Sequence, residues 1–172
     1  MDRAAVSHLA AAAGYAGFQW TVHGVVYPQF PVAAAADPQR FAEYETNHQR
    51  RIAHLVGPLF AALISTTAAV VRTRPRSPLG WVSAAATAAV LASTAFGAVP
   101  EHARLASGWD PAAHRRLHRW DGVRTGAATL QLASAVLLLR AATPPGPVSV
   151  VAHRGGRRAA GRSPLVRAAR GA

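Results

Sequence analysis

Four apolar stretches, at about residues 4–27, 52–71, 79–99 and 122–139, constrain this chain more than any motif in it. Each is close to the roughly 20 residues that one helical crossing of a bilayer needs. Charged residues make up only 15% of the chain against 51% hydrophobic, where a soluble domain carries about 25% charged. The mean hydropathy of +0.12 is modest because it averages these stretches with an arginine-rich C-terminus. The pattern predicts an all-α, four-helix transmembrane bundle at 1–142, with a basic, disordered cytoplasmic tail at 143–172. The alternative is a soluble four-helix protein with an Ala-rich core.

The connections follow the same logic. Asp37-Pro38 and Asp110-Pro111 each combine an N-cap acid with proline at the first helical position, so each opens a helix. Polar, interfacial helices are therefore expected in the 1–2 and 3–4 connections, the first running straight into the second span. Pro28 and Pro31 are expected to end the first helix. Arg3 and the A-x-A-like sites at 32–36 outline a signal peptide, but the run before them is too long and carries Gln19, His23 and Pro28, so an uncleaved helix is expected. The third stretch is mostly Ala, Ser and Thr, which makes its insertion energy marginal. Series of small residues four apart (Ala13, Gly17, Thr21; Gly57, Ala61, Ser65, Ala69; Ala85, Ala89, Ser93, Gly97) predict ridges for close helix packing.

The net charge of +12 comes entirely from arginine. It lies in loops and tail between apolar segments and not as a stripe on a soluble fold, so nucleic-acid binding is set aside in favour of membrane topology. With four spans, the N-terminus, the 72–78 turn and the tail share one side and hold 11 of the arginines against one acid, Asp2. The positive-inside rule then puts both termini in the cytoplasm. The absence of cysteine excludes disulfides, thiolate metal sites and cysteine nucleophiles. No P-loop, GxSxG, HExxH or dinucleotide-binding fingerprint is present.

This topology brings polar groups from all four helices to one depth near the outer face. Tyr15, Gln19, His23 and Tyr27 fall four apart and form a polar stripe that should face other helices. His54 starts the second span, Glu101 and His102 follow the third, and His118, Asp121, Arg124 and Thr125 lead into the fourth. His102, His54 and His23 are the candidate acids or bases, with Arg124 a candidate contact for an anionic or aromatic ligand. Arg124 entering an apolar run also predicts an ion pair with Asp121 or Glu101. Tyr27, Tyr44, Glu101, Trp120 and Asp121 are candidate ligand contacts, Trp120 as a stacking wall between Arg116 and Arg124 or, alternatively, as part of an interfacial aromatic belt. His114, His118 and Asp121 share one helical face at spacings that suit a divalent metal. The alternative is wet interfacial histidines. His8 and His153 lie apart and receive no role.

Two segments resemble small bacterial four-helix membrane proteins of the DUF1772 type, which include anthrone oxygenase-like proteins. The first is Phe41-Ala-Glu-Tyr44 through His48, Arg50-Arg51-Ile52 and Val56-Gly57-Pro58. The second is Val99-Pro100-x-His102-x-x-Leu105-x-x-Gly108-x-Asp110, followed by Arg115-Arg116-Leu117 and Val123-Arg124-Thr125. Where those relatives carry an Asn-Trp-x-Arg-Thr run, this chain reads Trp120-Asp121-Gly122-Val123-Arg124-Thr125. The resemblance implies a membrane bundle, with Tyr44, Pro100, His102 and Arg124 as the residues that carry over. Three functions fit these residues: an oxygenase-like or redox activity on a hydrophobic aromatic substrate, a non-catalytic structural or accessory membrane protein, and a His-based metal-binding membrane protein. No particular cofactor is indicated. The expected partners are the lipid bilayer and a small hydrophobic or aromatic ligand.

Overall fold

Prolines dictate how the first rod runs. The computed structural model describes residues 2–142; the segment expected as a basic tail lies outside the described residues. Asp2 caps α1 (Arg3–Thr21) by accepting the amides of Ala4 at 2.9 Å and Ala5 at 3.2 Å. Pro28 and Pro31 do not end the rod as expected. It continues through a π-helical turn (Val22–Val26) and a 3₁₀ turn (Tyr27–Gln29) into α2 (Phe30–Ala36). A helical proline lacks an N–H and its ring collides with the carbonyl four residues back. For Pro28 that carbonyl belongs to Gly24, inside the π turn, where the ladder is widened so that the Tyr27 amide reaches back to Val22.

The same device recurs in the third rod. There α4 (Pro78–Ala92) passes through a π turn (Ser93–Ala98) into α5 (Val99–Leu105). The carbonyl opposed to Pro100 is that of Phe96, again within the widened turn, and the Val99 amide reaches back to Thr94. Such turns are rare insertions that concentrate at functional sites.

The remaining rods are continuous. The amphipathic stretch and the second span form one helix, α3 (Phe41–Thr73). It starts slightly after the expected Asp37-Pro38 signal, with Asp37 accepting the Arg40 amide at 3.2 Å. Helix α6 (Pro111–Ala142) starts where expected, with Asp110 accepting the Ala112 amide at 2.7 Å. The Ala112 and Ala113 amides hold the Asp110 carboxyl below its usual range, so the cap stays charged. Gly108, at φ +138°, makes the α5–α6 turn in a backbone region that side chains disfavour. Arg74 reaches both Asp2 and the Leu138 carbonyl (3.3 Å). The start of α1, the α3–α4 turn and the end of α6 therefore gather at one end of an antiparallel arrangement.

The bundle buries polar side chains and leaves large apolar ones exposed. Buried side chains include His8, Gln19, Glu45, Asp121, Arg124 and Gln131, while Trp20, Leu55, Trp81, Phe96, Val99 and Leu130 are exposed. A soluble protein would bury the second set, so the distribution argues against a soluble four-helix reading. Among the described residues, three helices are long and apolar enough to cross a membrane: Phe41–Thr73, Pro78–Leu105 and Pro111–Ala142. The third stretch, expected to be marginal, is among them. The first is not: α1 is long enough, but it carries Arg3, His8 and Gln19 among its 19 residues.

The small-residue ridges are mostly displaced. Ala13, Gly17 and Thr21 are exposed, as are Gly57, Ala61 and Ser65, and α1 packs instead through Ala5, Ala12 and Ala16. Only Ser93 and Gly97 of the third series are buried. Gly97 lies against Trp120 so closely that a Cβ there would sit 2.3 Å from the ring and 2.9 Å from its Cβ. Gly97→Val should therefore destabilise the detergent-solubilised protein by about 1–3 kcal/mol, read as a lower thermal midpoint. Gly17→Val, with nothing within 4 Å of the added carbon, should leave the midpoint unchanged.

Candidate functional site

Two apolar layers enclose the site. One contains Phe30, Phe41, Leu105 and Leu117. The other contains Tyr15, Leu63, Val90 and Ala128. Between them runs a chain of polar groups drawn from all four rods.

At its centre is the buried pair on α6. Arg124 Nη2 donates to Asp121 Oδ1 at 2.6 Å and to the Tyr27 hydroxyl at 3.0 Å. The spacing of three on one helix brings the two charges together, so of the two acids expected beside Arg124 it is Asp121 that pairs with it. Gln19 donates to the same Asp121 oxygen at 2.5 Å, and His23 Nδ1 meets the other at 2.8 Å. Tyr15 donates to Gln19 at 3.3 Å. The stripe of Tyr15, Gln19, His23 and Tyr27 thus faces the other helices, as expected.

On the other side of Tyr27, its hydroxyl lies 2.9 Å from His102 Nε2, and His102 Nδ1 lies 2.5 Å from Glu45 Oε1. A carboxylate can only accept, so the His102 proton sits on Nδ1 and Nε2 is left to accept from Tyr27. Gln49 donates to both Glu45 (3.1 Å) and the His102 carbonyl (3.2 Å), fixing α5 against α3. The two π turns set this geometry: His23 lies in one, with Tyr27 directly after it, and His102 follows the other.

A cavity of about 190 Å³ adjoins this chain. Tyr27, His102, Arg124 and Gln49 form its polar end; Phe18, Val22, Ile52, Val56, Ala98 and Val99 form apolar walls. Glu45 Oε2 and Arg124 Nε are buried with no hydrogen-bond partner among the described residues, which leaves polar capacity in this layer.

The other expected residues lie elsewhere. His54 is exposed on α3 and does not line the cavity, because α3 turns Phe41, Glu45 and Gln49 inward and His54 lies on the opposite side. His23 braces Asp121 and does not line the cavity. Glu101 pairs with Arg104 and with Arg116 at 3.0 Å, away from Arg124. Tyr44 is 40% exposed and packs its edge against Phe30. Trp120, 40% exposed, rests on Gly97 beside Arg116 and Arg119, and the expected Arg116–Trp120–Arg124 clamp does not form because Arg124 points into the bundle.

The His114–His118–Asp121 metal set is also altered. His114 Nε2 lies 3.0 Å from the Tyr27 carbonyl. That carbonyl also accepts the Phe30 amide in the 3₁₀ turn, and with Pro31 offering no amide four residues on, His114 takes its second acceptor site. His23 takes its place in the cluster, within 4.8 Å of His118 and Asp121.

Glu45 and Gln49 are site residues that the sequence reading passed over. Their signal is a polar pair four apart in line with Phe41, masked because Tyr44 and His48 offered an equally good amphipathic phase. No family model, curated protein or solved structure matches the chain.

Removing Asp121 should strand the Arg124 charge in the interior. Asp121→Ala should cost about 3–5 kcal/mol in thermal or denaturant unfolding. The Asp121→Ala/Arg124→Leu double variant should lose less than the two single variants combined, since each removes the other's unpaired charge.

Proposed function

We propose that this is a four-span protein of the bacterial plasma membrane that binds a small lipophilic molecule carrying one acidic oxygen, a phenol or an enolisable carbonyl, and moves a proton at that oxygen. The observation that carries the reading is the cavity with apolar walls and a single polar end made by Tyr27, His102 and Arg124. Val99 and Ala53, at its rim, are exposed, so in a bilayer the ligand would enter from the lipid side. A cavity of about 150 Å³ accommodates one benzene; this one suits one ring or a compact pair.

The chemistry follows from the hydrogen bonds. Tyr27 gives its proton to His102 Nε2, Glu45 stabilises the resulting imidazolium, and Arg124 stabilises the tyrosinate. The tyrosinate then takes the ligand's proton, leaving a phenolate or enolate beside Arg124. With dioxygen as co-substrate, that electron-rich anion is the species attacked, which is the oxygenase-like activity the DUF1772-type resemblance implies. A purely structural role calls for no cavity, and the opening beside Tyr27, His102 and Arg124 weighs against it.

1-Naphthol titrated into the full chain in detergent micelles should bind saturably and more tightly than naphthalene. Tyr27→Phe should weaken naphthol binding by roughly 3- to 10-fold, the worth of one hydrogen bond, and leave naphthalene unchanged. Val56→Trp should abolish both by filling the cavity, and unaltered naphthol binding in that variant would sink the proposal.

The shared end formed by Asp2, Arg74 and Leu138 supports the start of the first rod and the end of the fourth lying on one side, and the arginine distribution favours the cytoplasm for that side. A reporter fused to Ala172 that works only in the cytoplasm should be active, and one that works only outside should be silent.

A further inference from the structure

The His23–His118–Asp121 cluster is not used in that proton transfer. We propose that it is a binding site for a first-row divalent transition metal ion. Its three donors come from two elements, the π turn and α6, and lie within 4.8 Å of one another. The donor set is two imidazoles and a carboxylate, which suits zinc, iron, nickel or copper better than calcium or magnesium.

One pair of donors is already near ligand spacing, and the third ligand, His118, reaches an ion by a side-chain rotation. A metal about 2.1 Å from a nitrogen and an oxygen holds those two atoms roughly 3.0–3.4 Å apart, and His23 Nδ1 and Asp121 Oδ2 are 2.8 Å apart already. There the ion replaces the shared proton. His118 is stacked on His23, with ring centroids 4.5 Å apart and planes 3° from parallel. An imidazole binds a metal in its own plane, so parallel rings cannot share one and His118 must swing out of the stack. It is only partly buried, and its Nδ1 has no hydrogen bond to give up.

The surrounding charges permit a cation. Arg115 and Arg119 are exposed, Arg116 is paired with Glu101, and Arg124 occupies Oδ1 of Asp121, leaving Oδ2 to the cluster. Gln19 and Arg124 on Oδ1 orient the carboxylate from behind, as second contacts of metal ligands commonly do.

The test uses the full chain without a histidine tag, stripped by chelator in detergent micelles and titrated with Co²⁺ followed by visible absorption. One Co²⁺ per chain should bind and be displaced by Zn²⁺, and Zn²⁺ should raise the thermal midpoint. His118→Ala and His23→Ala should each weaken binding at least tenfold and lose the zinc-induced rise. His54→Ala and the cavity-filling Val56→Trp should leave binding intact, so this result stands or falls separately from naphthol binding. Absence of stoichiometric binding, full affinity in His118→Ala or His23→Ala, or an equal loss in His54→Ala would overturn the proposal.

Discussion

The Asp121–Arg124 pair is the interaction on which the rest depends. A guanidinium placed among apolar helices is tolerable only with a carboxylate beside it. Asp121 supplies the charge, Tyr27 takes a further donor, and Gln19 and His23 complete Asp121. Satisfying one buried cation thereby fixes the rotation of α1 against α6 and the position of the π turn after it. Because the pair sits between two apolar layers, water has little access to weaken it, and the same dryness would strengthen any charge that develops on a ligand oxygen in the adjoining cavity.

Polarity is divided along the bundle. A second buried network lies nearer the chain ends, where His8 meets Ser83 at 3.0 Å and Thr66 at 3.3 Å, and Gln131 donates to Thr87 at 2.7 Å. The layer around Leu63, Val90 and Ala128 separates it from the Asp121 network. With little hydrophobic force between helices in lipid, hydrogen bonds of this kind and close packing hold rods together. The His8–Gln131 network does that, while the Asp121 network adds a cavity.

Much of this was legible in the sequence because it rests on local rules. The four rods, the Asp110-Pro111 start, the inward stripe of Tyr15, Gln19, His23 and Tyr27, and the Arg124–Asp121 pairing all follow from spacing. What was not legible involves breaks in that spacing. Nothing in the sequence alone distinguishes a proline that ends a helix from one accommodated by a π turn, so the continuation past Pro28 was missed. The phase of α3 was ambiguous between Tyr44/His48 and Glu45/Gln49, and only packing against α5 decides it. That choice also turned His54 outward and Glu45 inward. The small-residue series failed for a related reason: small side chains permit close approach, but the buried polar pairs determine which face is used.

Each π turn is one extra residue in a helical register. One residue rotates everything beyond it by about 100°. In the first rod that rotation decides whether Tyr27 meets Arg124 and His102 or faces lipid. Losing a single residue between 22 and 26 would restore a regular helix, tighter in its own hydrogen bonds, while leaving Arg124 without its hydroxyl and the cavity without its polar end. The locally less favourable backbone is thus what lets two prolines and a buried arginine coexist in one helix pair.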